Sequence, residues 1–265
     1  MIKENDRVLL SDGKREFYVR AVEKDFSTDK GILKLADLIG MESGGTIYSH
    51  LDKPFKVIVP RPTDFFNHAR RTGAPMLPKD IGMVIAYTGM NHNDRVLDAG
   101  CGSGVAAIYF GIRIRRRGLD AGCGSGVAAI YFGGVAGHVT SYEKRPEFAE
   151  ICRANILEAG LDNVEVIAGD MLDAEGEGVF DVVHLDMQIE KEHIEHAHAL
   201  LRNGGYLATY TPFLEHTFTV MDAAIPLFSE VTCHELIARE LTRTERGTRP
   251  STRVAHTGYI TVCRK

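Results

Sequence analysis

Arg95-Val96-Leu97-Asp98-Ala99-Gly100-Cys101-Gly102-Ser103-Gly104-Val105 is the stretch whose reading decides the fold. An apolar strand runs into a glycine-rich turn, and the Val105-Ala106-Ala107-Ile108 after it opens a helix, as at the start of a βα unit. Glycines at 100, 102 and 104 remove Cβ atoms that would clash with a ligand. The helix N-terminus behind them offers N–H donors to a carboxylate. The spacing D-x-G-x-G-x-G is not the G-x-G-x-x-G of nicotinamide binders and lacks the G-K-[ST] of a P-loop. Alone, such a segment is as readily a tight turn as a ligand cradle.

Downstream, apolar strands alternate with helical segments, which predicts an α/β domain built on a mainly parallel sheet. Strands are expected over 95–99, 138–143, 164–168, 179–186, 205–211, 230–237 and 257–263, and helices near 146–159, 190–201 and 215–228. The last two strands are expected to pair antiparallel. Three strands end in acids: Ser141-Tyr142-Glu143, Gly169-Asp170-Met171 and Leu185-Asp186-Met187. Acids at successive strand ends converge on one edge of an open sheet, where its ligands bind. Glu143 is placed to accept from both ribose hydroxyls of an adenosine, Asp170 from an adenine amino group, and Asp186 borders the crevice. Each alone is commonly an N-cap or turn residue. With the glycine turn they read as one site.

Residues Leu97–Gly111 recur without change at Leu119–Gly133, a period of 22 residues. Solenoids need about three or more units to bury a continuous core, so two copies mean a tandem duplication inside an ordinary domain. Either copy offers a cofactor turn: Asp98, Gly100, Gly102, Ser103, Gly104 and Val105, or Asp120, Gly122, Gly124, Ser125, Gly126 and Val127. The first has the better strand, Arg95-Val96-Leu97 against Arg117-Gly118-Leu119. Its helix is expected to continue through Ile108 and Ile112. The second has the better spacing, because Gly122 lies 21 residues before Glu143 and Gly100 lies 43 before it, against about 20 in an undisturbed βαβ unit. The first copy is expected to bind.

Before Pro60 the pattern is short and alternating, with Val8-Leu9-Leu10, a turn at Asp12-Gly13, Phe17-Tyr18-Val19 and Phe55–Val59, which predicts a small β-domain over 1–60. A helical linker over 61–92 and a catalytic domain over 93–265 complete the chain. The 265 residues carry a formal charge of −5 and are 44% hydrophobic. That excludes disorder and a nonspecific nucleic-acid coat. No apolar run approaches the 18–20 or so residues of a membrane span, and the start lacks a signal peptide's apolar core, so a cytoplasmic location is expected. Five cysteines form no C-x-x-C pair and read as free thiols. Basic clusters occur at Arg113, Arg115, Arg116 and Arg117, and across Arg239, Arg243, Arg246, Arg249 and Arg253. Both read as solvated faces or ligand contacts. His193, Ile194, Glu195 and His196 place two histidines on one helix face. No third ligand is evident, so a solvated helix and no metal are expected.

The glycine turn with Glu143, Asp170 and Asp186 resembles class I S-adenosylmethionine-dependent methyltransferases. The segments Lys24–Leu35, Pro78-Lys79-Asp80 with Ile85-Ala86-Tyr87, and Arg249–Tyr259 narrow the resemblance to the archaeal and bacterial tRNA (adenine-N1)-methyltransferases. It covers nearly the whole chain apart from the duplicated insert. The resemblance implies a small N-terminal β-barrel, a Rossmann-like catalytic domain, a homotetramer, and methylation of adenine N1 in the T-arm loop of tRNA. By position, Glu143 would bind the cofactor ribose, Asp170 its adenine, and Asp186 would face the target base. The chain departs from the family at Ala74 and Leu77, and in Asp186-Met187-Gln188-Ile189-Glu190, where relatives carry an Asp-Leu-Pro loop. A same-fold enzyme acting on another RNA or a small molecule, and an inactive or assembly variant that binds cofactor, are the alternatives.

Overall fold

The computed structural model describes residues 1–68, 76–100, 126–251 and 256–265. The chain divides into two compact units, Met1–His68 and Ala69–Lys265.

The first unit holds β1 (Arg7–Ser11), β2 (Glu16–Arg20), β3 (Asp25–Thr28), β4 (Gly31–Lys34), β5 (Thr46–Tyr48) and β6 (Pro54–Ile58), closed by the helix α1 (Pro62–His68). Four strands form an antiparallel sheet in the order β2-β1-β6-β5, and β3 and β4 make a separate hairpin. Alternate residues Val8, Leu10, Val19, Phe55 and Val57 point to one face and build a core with Leu33, Leu35 and Leu38. Within the Lys24–Leu35 segment, Gly31 takes φ +108, and a Cβ there would press on the Ser49 and His50 side chains. The Ser49 hydroxyl donates to the Lys30 carbonyl at 2.6 Å.

In the second unit a seven-stranded sheet runs β12-β15-β11-β10-β7-β8-β9. Its strands are β7 (Arg95–Ala99), β8 (His138–Glu143), β9 (Val164–Ala168), β10 (Phe180–Leu185), β11 (Leu201–Thr211), β12 (Glu230–Glu235) and β15 (Tyr259–Arg264). The five from β7 to β11 are parallel, and β15 lies antiparallel between β11 and β12. A two-stranded hairpin, β13 (Leu241–Thr244) with β14 (Gly247–Pro250), stands apart. It formed no part of the sequence expectation, because its residues are polar and unpatterned.

Helices start and stop where local chemistry says they should. Both α2 (Pro78–Thr88) and α4 (Pro146–Ala159) begin with proline at the first turn and end on left-handed glycines, Gly89 and Gly160. The helices α5 (Lys191–Leu200) and α6 (Leu214–Ala224) cover the face carrying Leu97, Ala99, Val183, Leu185 and Leu207.

The duplicated motif resolves as a hybrid. The strand β7 comes from the first copy, while the helix α3 (Val127–Gly133) that packs beside β7 and β8 comes from the second. The expected first-copy helix through Ile108 and Ile112, and Arg113–Arg117, lie outside the described residues. The end of that helix is held by the residues on its C-terminal side. Asn163 Nδ2 donates to the carbonyls of Gly133 and Ala136 at 2.9 and 3.0 Å, and Gly137 and His138 N–H donate to the Asp94 carbonyl at 3.1 Å. Those bonds tie the end of α3 and the turn after it to the start of β7 and β9. Gly126, at φ +62, caps the helix where a Cβ would sit 2.5 Å from Cys152 Sγ on α4.

Candidate functional site

Strand β7 has β8 on one side and β10 on the other, and the chain winds outward in both directions from it. That is the topological switch point of the sheet, where a crevice opens beyond the strands' C-terminal ends. Gly100, Glu143, Asp170 and Asp186 all stand at that edge, immediately after β7, in the last position of β8, and just past β9 and β10.

Gly100 takes φ +91, and its Cα lies so close to the next strand that an added Cβ would overlap the Asp186 carbonyl and press on Met187 Cβ. Only glycine fits here. Its N–H donates to the Tyr142 carbonyl at 3.1 Å, and the Asp186 N–H donates to the Ala99 carbonyl at 2.9 Å, so the three central strands stay laddered to the lip of the crevice.

Glu143 is 4% exposed. Its Oε1 accepts from the Arg145 N–H at 3.0 Å, and Oε2 is buried with no partner among the described residues. Burial pushes its carboxyl above the ordinary range, against the opposing pull of the Arg145 backbone and guanidinium. An orphaned buried acceptor is costly unless a ligand completes it. A ribose diol supplies two hydroxyl donors, so this residue fits the adenosine of the implied cofactor.

Asp170 caps the short turn Met171–Asp173, accepting from the Leu172 N–H at 3.1 Å, and pairs with Lys144 Nζ at 2.7 Å. The Lys144 ammonium holds its carboxyl below the ordinary range, with the Leu172 N–H adding to the effect. Lys144 is mostly exposed, so solvent screens the pair and it yields readily to an adenine amino group. At Asp186, burial of the carboxyl pushes its pKa up to about 7; His184 opposes the shift and Asp98 adds to it.

Asp98 is enclosed rather than open to the crevice. Its Oδ2 accepts from the Ser141 hydroxyl at 3.1 Å and its Oδ1 lies 2.8 Å from His184 Nδ1. Of the glycine-turn residues, Gly126 and Val127 flank the start of α3, and Gly102, Ser103, Gly104, Val105, Asp120, Gly122, Gly124 and Ser125 lie outside the described residues, as does Ala74. Sequence reading missed His184; nothing but its position two residues before Asp186 in a buried strand could have drawn notice to it.

Two of the signature segments, Pro78-Lys79-Asp80 and Arg249–Tyr259, meet outside the crevice. Lys79 Nζ donates to the Leu236 carbonyl and the Thr257 hydroxyl at 2.7 Å and pairs with the fully buried Asp80, which accepts from the Thr257 hydroxyl at 2.8 Å. Pro78-Lys79-Asp80 is thereby clamped to both ends of the stretch containing the β13–β14 hairpin. The histidines of α5 are not the expected solvated stripe. His193 is 7% exposed and its Nδ1 accepts from the Glu190 N–H in a capping box, and His196 Nε2 lies 3.0 Å from the Ala174 carbonyl. No group of His, Cys, Asp and Glu side chains among the described residues is placed to hold a metal ion. Nor is any helix among them long and apolar enough to cross a membrane.

A family model described as a methyltransferase domain matches residues 119–205, beginning at the second copy. The tRNA (adenine(57)-N(1)/adenine(58)-N(1))-methyltransferase TrmI of Methanocaldococcus jannaschii is 33% identical, over 95% of this chain and 92% of that one. The tRNA (adenine(58)-N(1))-methyltransferase TrmI of Thermus thermophilus is 25% identical over 82% of this chain and 79% of its own. Among solved structures, a SAM-dependent O-methyltransferase from Thermotoga maritima superposes with a TM-score of 0.80 at 26% identity, covering 100% of this chain and 94% of its own. The tRNA (m1A58) methyltransferase TrmI of Aquifex aeolicus gives 0.75 at 24% identity, covering 100% and 98%, and shares the fold. With a switch-point crevice, a glycine lip and an identity that spans both units, this chain belongs to the TrmI family of tRNA (adenine-N1)-methyltransferases.

Proposed function

We propose that this protein methylates N1 of an adenine in the T-arm loop of tRNA, using S-adenosylmethionine. The observation that carries this reading is the 33% identity over 95% of the chain to an enzyme of that activity. The crevice supplies its chemistry. When bound, the cofactor offers a methyl group on a sulfonium sulfur; N1 takes the methyl, the sulfur becomes a neutral thioether and the positive charge passes to the adenine ring.

The chain's own residues bind and orient. Glu143 Oε2 accepts from the cofactor ribose, Asp170 turns from Lys144 to the cofactor's adenine, and the bare backbone at Gly100 lets the chain close on the methionine part. Asp186 accepts from the exocyclic amine of the target base and stabilises the cation developing on its ring. Because N1 is a free nucleophile at neutral pH, alignment and charge stabilisation suffice. The target base must leave its stack to reach the crevice. Residence in the cytoplasm and assembly as a homotetramer complete the reading. The hairpin 241–250, exposed along its whole length, is an arm available for assembly or for RNA.

Nucleoside mass spectrometry of an unmodified tRNA transcript, incubated with the protein and S-adenosylmethionine, tests this. 1-Methyladenosine in the T-arm loop is the expected product. Methyl incorporation into bulk RNA but not into that transcript would transfer the reading to another RNA. Tight cofactor binding with no turnover on any RNA would make the protein an inactive variant.

A further inference from the structure

Asp98, Ser141 and His184 stand side by side on three adjacent strands, with Asp98 in register with Ser141 of β8 and with His184 of β10. Asp186 lies two residues beyond His184, so it leaves β10 on the same face, directly ahead of the buried pair. His184 is fully buried and Asp98 is 1% exposed. Both Asp98 oxygens are held by the protein, Oδ1 at 2.8 Å from His184 Nδ1 and Oδ2 by the Ser141 hydroxyl. His184 Nε2 is buried without a partner among the described residues, and the Phe132 ring of α3 stands edge-on to the imidazole at 5.1 Å.

A buried polar pair with one unmet nitrogen is less stable than an apolar filling of the same layer. Packing therefore gives no reason for it. Two groups among the described residues act on the Asp186 carboxyl: His184 on its own strand, which favours the carboxylate, and Asp98 on β7, which opposes it. Ser141 from β8 and Phe132 from α3 complete the surroundings of the pair and carry no charge.

We propose that His184 is a positioning residue for methyl transfer: by pinning Asp98 it favours, against the burial that opposes it, the ionised, accepting form of Asp186 that the target adenine requires. The inference rests on the role given to Asp186 above. It is tested with His184→Asn, whose amide can donate from the place of Nδ1, His184→Leu, which cannot, and Asp98→Asn, which removes the opposing charge. Titration of the Asp186 carboxyl is tracked by carbon-13 NMR of aspartate-labelled protein, alongside kcat and KM across pH.

In H184L, Asp186 is expected to titrate at higher pH and the acid limb of kcat to move up with it, with KM for S-adenosylmethionine unchanged. H184N should lie closer to the parent protein, and D98N should move the titration down. The D98N arm decides the matter if H184L does not fold. An Asp186 titration that stays in place in H184L or D98N overturns the proposal. A titration that moves while the kcat profile does not would overturn the base-facing role of Asp186, and the catalytic part of the proposal with it.

Discussion

Gly100, Glu143 and Asp186 each carry a consequence that one substitution reads out. A methyl group at Gly100 meets backbone, the Asp186 carbonyl, which no rotamer change relieves. Gly100→Ala is therefore expected to cost about 2 kcal/mol or more and to weaken cofactor binding, checked by thermal melts and calorimetric titration. For Glu143, burial favours the protonated form, while a ribose diol needs the carboxylate. Cofactor affinity should fall as pH drops through a value above the ordinary carboxylate range, and Glu143→Gln should lose most of it at every pH. Asp186 has its folded pKa raised to about 7, so the fold favours its protonated form; that stabilisation is complete at low pH and lost as pH rises through 7. Asp186→Asn is expected to abolish turnover and spare cofactor affinity. It should match the parent melting temperature near pH 3 and exceed it at pH 8, the difference opening between about pH 4 and pH 7. Equal melting temperatures at both would mean the carboxyl is not enclosed.

At the scale of elements, the pairing of a first-copy strand with a second-copy helix predicts the behaviour of a variant lacking Ile112–Gly133. It keeps one strand, one turn and one helix of identical sequence, so it should show the same far-UV circular dichroism and retain methyl transfer in the tRNA assay. Loss of folding in that variant would mean the interposed residues contribute to the core. The clamp on α2 is tested separately: Lys79→Met strands the buried Asp80 carboxylate and should cost about 3 kcal/mol, measured by urea unfolding. Much of this scale was legible in advance. The alternation of apolar strands and helices gave β7 to β11 to within a few residues, because the central strands of a parallel sheet are covered on both faces and read as largely apolar runs. Acids at strand ends gave Glu143, Asp170 and Asp186, since the switch point gathers such ends whatever lies between. The use of a second-copy helix beside β7 could not be read, because two identical segments carry no local preference; the residues that hold the end of α3 and the turn after it, Asn163 and Asp94, are distant in sequence or lie outside the repeat. His184 was hidden for a related reason. Its partner Asp98 stands 86 residues away, and strand pairing alone brings them together.

Among the described residues, one apolar core gathers around Phe55 and Leu10 in the first unit and another around Leu97, Leu185 and Leu207 in the second. Because all four crevice residues belong to the second unit, residues 69–265 produced alone are expected to fold and bind S-adenosylmethionine as the full chain does, checked by calorimetric titration. Failure of that fragment to bind would mean that the first unit is needed to build the crevice. The repeat has one further consequence, in the chain's history rather than its chemistry. Since 97–111 and 119–133 are the same fifteen residues, every 22-residue excision beginning anywhere from Leu97 to Ile112 yields one and the same polypeptide. Many breakpoints thus converge on a single shorter sequence, and removal of the duplication needs no accuracy about where it cuts.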